Sequence, residues 1–180
     1  MALINDFLSL IYPRHCQACG WLLFHHERHI CRNCLLNLPK SNFHLSANNP
    51  LSNMLGGRVP IEHSLCLYLF EKSGKVQRLV HNIKYHQNLE LAVLLGELLA
   101  KEFQVSGLKC DFDFIIPIPL HQKKLAERGF NQSEEFAKGL SNALAVPINT
   151  ESFYRVKESK TQTKKKKERL PHPHAGVPRN

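Results

Sequence analysis

The feature that most constrains this chain is a quartet of cysteines near its start, spaced Cys16-x2-Cys19-x11-Cys31-x2-Cys34. Two residues between thiolates let one turn present both sulfurs, about 4 Å apart, to a tetrahedral ion, and a second pair completes the shell. Gly20 after the first pair and Asn33 within the second suit the tight turns of a zinc knuckle, where backbone amides point at sulfur. Four thiolates also close the coordination sphere to water, so the pattern predicts a structural zinc rather than a catalytic one. A module of about 30 residues buries too little apolar surface to hold itself together, whereas such a site contributes on the order of 10 kcal/mol. The spacing alone leaves two other readings open: ordinary buried or redox cysteines, and an iron–sulfur cluster. His25, His26 and His29 lie between the pairs and could replace a cysteine, but with four thiolates at hand they read as knuckle surface. Cys66 and Cys110 stand singly and read as small buried hydrophobes.

Composition sets the frame around this module. With 180 residues, 43% apolar and 22% charged, the chain can bury one core plus a small satellite. Six cysteines are too sparse for a disulfide scaffold, which points to a reducing compartment and a cytoplasmic location. The first 13 residues contain an apolar stretch but carry neither a preceding basic residue nor a small-residue cleavage site, so a secretory signal is not expected. No membrane insertion is expected either: the longest apolar segment, residues 89–100, is interrupted by Glu90 and Glu97. The formal charge of +9 comes largely from local runs, above all residues 164–167 and Arg169, so charge is a weak pointer to nucleic acid.

Hydrophobic spacing places the remaining elements. Leu3, Phe7, Leu8 and Ile11 predict a short helix ended by Pro13. Residues 41–60, rich in Asn, Ser, Gly and Pro, read as a linker and domain boundary. Residues 64–70 predict a buried strand, and two amphipathic helices follow, one on Val76, Leu79, Val80 and Ile83 and one on Leu91, Leu94, Leu95, Leu98 and Leu99. Residues 113–119 read as a second strand stiffened by prolines, 131–145 as a helix and 148–156 as a further strand, while no internal repeat is visible. The expected order of strand, helices, strand, loop and helix is that of an α/β fold.

The strand at 113–119 delivers a basic loop. His121, Lys123, Lys124 and Arg128 cluster ahead of Gly129, and Asn131 or Ser133 then caps a helix whose N-terminal amides favour an anion, with phosphate or pyrophosphate the natural guest.

The cysteine ribbon, the block VQRLVHNIKYHQNLELAVLLGELLA and the block IPIPLHQKKLAERGFNQSEEFAKGL together resemble the ComF family of competence-associated, phosphoribosyltransferase-like proteins, from about Leu8 to Arg169. The resemblance implies a small four-cysteine zinc ribbon (residues 1–60 with its helix and linker) ahead of an incomplete type I phosphoribosyltransferase-like domain (61–169), a mainly parallel sheet with flanking helices. The family's Lys-Tyr pair falls on Lys84 and Tyr85, and its Arg-Gly-Phe-Asn-Gln motif on Arg128, Gly129, Phe130, Asn131 and Gln132, where such folds handle phosphates. Residues 160–167, with Thr161, Gln162 and Thr163, look like the loop that covers a bound ligand. The implied cofactors are structural zinc, magnesium and phosphoribosyl diphosphate; the implied partners are single-stranded DNA, the competence machinery and a phosphorylated small molecule.

One departure bears on activity. After Glu168 and Arg169 the chain reads LPHPHAGVPRN, where the family has a strand ending in two acidic residues and a Thr-Thr-Gly turn that cradles the diphosphate. The expectation is a truncated or frameshifted ending, a disordered tail over 170–180 and no transferase activity. Two alternatives stand beside it: a zinc-dependent single-stranded nucleic-acid binder without catalysis, in which Lys123, Lys124, Arg128 and residues 164–167 meet phosphates and Phe130 stacks on a base, and an inactive fragment.

Overall fold

Where apolar residues recur at helical spacing, helices form. In the computed structural model, which describes residues 13–46, 48–56, 60–108 and 111–156, six α-helices are seen: α1 (Arg32–Asn37), α2 (Pro50–Gly56), α3 (Lys75–Tyr85), α4 (Leu89–Val105), α5 (Gln122–Arg128) and α6 (Gln132–Leu144). The helix expected over residues 2–11, Cys110, the expected covering loop and the tail lie outside the described residues. Helix α3 buries Val76, Leu79 and Ile83 and stops at His86; Gln87 then takes a left-handed φ of 51°, and Asn88 restarts the chain by accepting a hydrogen bond from the Leu91 amide. Among the described residues no helix is long and apolar enough to cross a membrane.

The helical expectations for residues 75–105 and 131–145 match α3, α4 and α6, with Asn131 rather than Ser133 as the cap. Residues 122–128 differ from the expected loop. They form α5, because His121 Nδ1 accepts from the Lys123 amide at one end and Gly129, at φ 79°, closes the other by donating its N–H to the Leu125 carbonyl. The stretch expected to be a linker also has structure. Asn49 is buried; its Nδ2 donates to the Phe43, Ser46 and Ser64 carbonyls and its Oδ1 accepts from Leu51, Ser52 and Ser64, which fastens α2 to the chain beyond it.

Extended segments meet at isolated bridges among the described residues. Residue 68 pairs antiparallel with residue 40, and residue 115 pairs parallel with residue 148, where the Ile115 amide donates to the Pro147 carbonyl and the Asn149 amide to the Ile115 carbonyl. The 115–148 pairing joins two parallel segments across α5 and α6, the connectivity of a strand–helix–strand unit.

The core does not respect the expected boundary near residue 60. Cys16 and Cys34 of the cysteine module sit in one continuous cluster with Leu79 and Ile83 of α3, Leu91 and Leu95 of α4, and Phe130. Burying a leucine such as Leu79 contributes about 2 kcal/mol, so the module and the helices stabilise each other. Polar contacts reinforce this. Lys40 Nζ lies 2.5 Å from Glu102 Oε1 and His44 Nε2 3.5 Å from Glu102 Oε2, tying the chain after the module to the far end of α4. Nearby, the Tyr68 hydroxyl is pushed up to about 12 by burial and then by the Glu102 charge.

Helices α4 and α6 cross through glycine. A methyl group at Gly96 would overlap the Phe136 carbonyl oxygen, and one at Gly139 would overlap the Val93 carbonyl oxygen. The two backbones therefore touch directly. Gly96→Ala or Gly139→Ala should each destabilise the fold by about 1 to 3 kcal/mol through overpacking, read as a lowered denaturation midpoint. Gly56→Ala, with nothing within 4 Å of the added carbon, serves as the neutral control.

Candidate metal centre

The first cysteine pair sits on a hairpin. His15 and Leu22 form an antiparallel bridge, the Leu23 amide donates to the Arg14 carbonyl, and the Cys16 amide to the Trp21 carbonyl. The turn between them needs Gly20, whose φ of 82° is left-handed and whose N–H donates to the Cys16 carbonyl. The second pair sits on a helix start. Cys31 is the N-cap of α1, and its Sγ accepts from the Cys34 amide at 3.4 Å. Asn33 therefore lies in the first turn of a helix, not in the tight turn expected of it. The Gln17 amide, donating to the His29 carbonyl, joins the two halves.

This places the four sulfurs within 4.8 Å of one another, with Cys19 Sγ and Cys31 Sγ 3.8 Å apart. Sulfurs held 2.3 Å from a central zinc stand about 3.8 Å apart, so the quartet is compatible with structural zinc. An iron–sulfur cluster, with several metals and sulfides at its centre, would spread the sulfurs further. Among the described residues this is the group of His, Cys, Asp and Glu side chains gathered closely enough to hold an ion.

The electrostatics are uneven across the quartet. Burial resists ionisation of Cys16, but hydrogen bonds from the Cys31, Cys19 and Ala18 amides outweigh it and bring the thiol down to about 7. Cys34 moves far the other way, through burial first and then its hydrogen bonds with Cys19 and Cys31 and the charge of Cys16; burial also raises Cys31. Thiolates packed this closely repel, and a divalent cation is what allows all four to ionise together. The α1 N-terminus favours the same charge.

Glu27 completes the module, and sequence reasoning passed over it. Its Oε2 accepts from the Phe24 amide at 2.8 Å and its Oε1 from the Arg32 amide at 2.6 Å, so one buried carboxylate spans the loop between the pairs and the start of α1. Those bonds, Arg32 first, hold its pKa below the usual glutamate value. The bonded carboxylate therefore contributes across neutral pH, and its contribution is lost only as pH falls through that depressed range. An acid just ahead of a short helix is the signal that could have marked it. His29 is more than surface: Nε2 lies 3.1 Å from Glu90 Oε2 at the start of α4, while Asn82 Nδ2 donates to Gln17 from α3. Cys66 is half-buried and hydrogen-bonds the Tyr68 carbonyl, apart from the quartet.

The residues expected at the phosphate site separate into groups. Lys84 and Gln132 come together, with Ser133, on a cavity of about 430 Å³ between α3, α4, α6 and residues 115–118; the cavity is otherwise largely apolar, and among the described residues no Asp or Glu lines it. Gln132 Nε2 is buried without a partner among the described residues. Asn131 is buried as a brace: Nδ2 donates to the Ile118 carbonyl while Oδ1 caps α6. Phe130 is only 8% exposed and belongs to the core, so it cannot stack on a base. Gly129 and Arg128 end α5 and do not line this cavity, and Tyr85 is exposed with its ring against His81.

The chain is similar to proteins named DNA utilization protein YhgH. That of Escherichia coli O157:H7 is 27% identical over 140 residues, 76% of this chain and 58% of its own length, and that of Escherichia coli K12 is 26% identical over the same extent. The Salmonella typhimurium protein is 32% identical over 88 residues, 47% of this chain and 38% of its own. The chain thus spans little more than half the length of the Escherichia coli relatives. No family model and no solved structure matches it.

Reduced protein should carry one zinc per chain, and stripping it with a chelator should unfold residues 14–38, seen as lost circular dichroism and protease protection; an unchanged segment would refute the assignment. Glu27→Gln should weaken zinc binding by about 10- to 100-fold in a competition titration, since it loosens the backbone that aims the sulfurs.

Proposed function

We propose that this chain is a ComF-like DNA-handling protein, cytoplasmic and zinc-stabilised, that serves DNA uptake or use by binding rather than by phosphoribosyl transfer. The observation that carries the reading is its similarity over 140 residues to proteins named for DNA utilisation. The ribbon and the blocks at 76–100 and 116–140 that resemble the ComF family support it, as does the parallel 115–148 pairing across two helices, which is the linkage a phosphoribosyltransferase-like sheet would use.

The cavity beside Lys84 bears on the chemistry. Lys84 and the Gln132 side-chain amide, unpartnered among the described residues, offer positive charge and donors to an anion, so a phosphorylated small molecule is a ligand this reading allows. Magnesium is a poorer fit, because no carboxylate lines that cavity among the described residues, and transfer from phosphoribosyl diphosphate depends on metal charge and positioned phosphates. Zinc, held by Cys16, Cys19, Cys31 and Cys34, would supply folding and no reaction step.

A strain lacking the protein should lose growth on DNA as a nutrient, or uptake of labelled DNA, and regain it with the wild type but not with Cys16→Ser or Cys31→Ser. Unimpaired growth and uptake without the protein would remove the reading. Incubated with magnesium, phosphoribosyl diphosphate and a panel of nucleobases, the chain should release pyrophosphate only at background; release well above it would restore the transferase.

A further inference from the structure

The cysteine module turns an unusual face to solvent. Trp21, the chain's single tryptophan, is 78% exposed and Phe24 is 72% exposed, both on the segment that the first cysteine pair and Glu27 hold in place. Their backbone is fixed: the Trp21 carbonyl accepts from Cys16 and the Phe24 amide donates to Glu27. The rings line a cleft of about 600 Å³ together with Arg32 and Lys75, and neither cation makes an ion pair among the described residues. Glu27 also reaches this cleft, but both its oxygens are taken by backbone amides, so the free side-chain charge there is positive. Phe24 lies parallel to the His26 ring within 3°, centroids 6.2 Å apart.

Exposed aromatic faces beside unpaired cations are what a flexible polyanion with planar bases requires. Each base can stack on a ring and each phosphate can meet a guanidinium or ammonium, whereas a duplex hides its base faces. Phe130, the aromatic beside the basic segment 121–128, is buried and cannot take that role.

We propose that the cleft of Trp21, Phe24, Arg32 and Lys75 is a stacking site for single-stranded nucleic acid. The choice of ligand rests on the DNA-handling reading; the location does not. Zinc matters to the site because it fixes the turn that presents the rings, which lowers the ordering cost of binding.

Trp21 makes the test direct. Titrating oligothymidylate into the zinc-loaded full chain should quench tryptophan fluorescence, with affinity falling as salt rises by a log–log slope of about 0.7 per phosphate contact. By anisotropy of a labelled oligonucleotide, Trp21→Ala should weaken binding by about 5- to 150-fold, the worth of one stacked base, while Trp21→Phe retains most of it. Arg32→Gln with Lys75→Gln should flatten the salt slope by about 1.4. Zinc content and melting temperature of each variant confirm that the fold is intact. If the wild type binds and the Trp21→Ala, Phe24→Ala double variant binds equally, the site lies elsewhere and this inference falls while the DNA-handling reading stands. No complex at low salt, or a tryptophan signal that responds to protein concentration or an apolar peptide instead of oligonucleotide, also overturns it; the growth and uptake experiment then decides the broader reading separately.

Discussion

Four sulfur atoms crowded within a few ångströms cannot all carry charge unless a cation shares the space with them. Much else in the molecule depends on that constraint. The quartet draws a hairpin and a helix start together, and because Cys16 and Cys34 lie in the same apolar cluster as Leu79 and Leu91, closing the module also closes one wall of the core. Glu27, His29 and Gln17 then lock the arrangement from three sides, one to the module itself and two to α3 and α4. What looks in sequence like a detachable satellite is part of the packing.

The features legible in the sequence are those written in local spacing. Two cysteine pairs announce a shared ion, and the leucine and valine periodicity of residues 76–99 announces α3 and α4. Features that depend on distant partners were not legible. The pairing of 115 with 148 and of 40 with 68 is a choice among extended segments that no local pattern decides. Asn49 gave no sign that it would staple a polar stretch, because its partners are backbone carbonyls whose positions only the fold supplies. Phe130 beside a basic run left both a base-stacking aromatic and a core anchor open in sequence, and it belongs to the apolar cluster. Trp21 and Phe24, two of the aromatics that do reach solvent, sit among cysteines and histidines with no spacing of their own to mark which way they face.

The expected phosphate motif divides in the same way. Asn131 and Phe130 serve the fold, as cap and core anchor, whereas Lys84 and Gln132 converge on one cavity from helices far apart in sequence. A motif of adjacent residues thus mixes scaffold and contact, and only the direction of each side chain separates the two. The Gln132 amide, buried with no partner among the described residues, is the polar group there that a ligand would satisfy.

The meeting of α4 and α6 through Gly96 and Gly139 has a mechanical corollary. Helices separated by side chains can slide as rotamers yield, but backbones in direct contact have no such cushion. The pair must shift as one stiff beam. Glu90 beside His29 stands at one end of α4, Glu102 near its other end holds Lys40, and Gln132 at the start of α6 lines the cavity beside Lys84, so the beam links the sulfur module to that cavity without a joint between them.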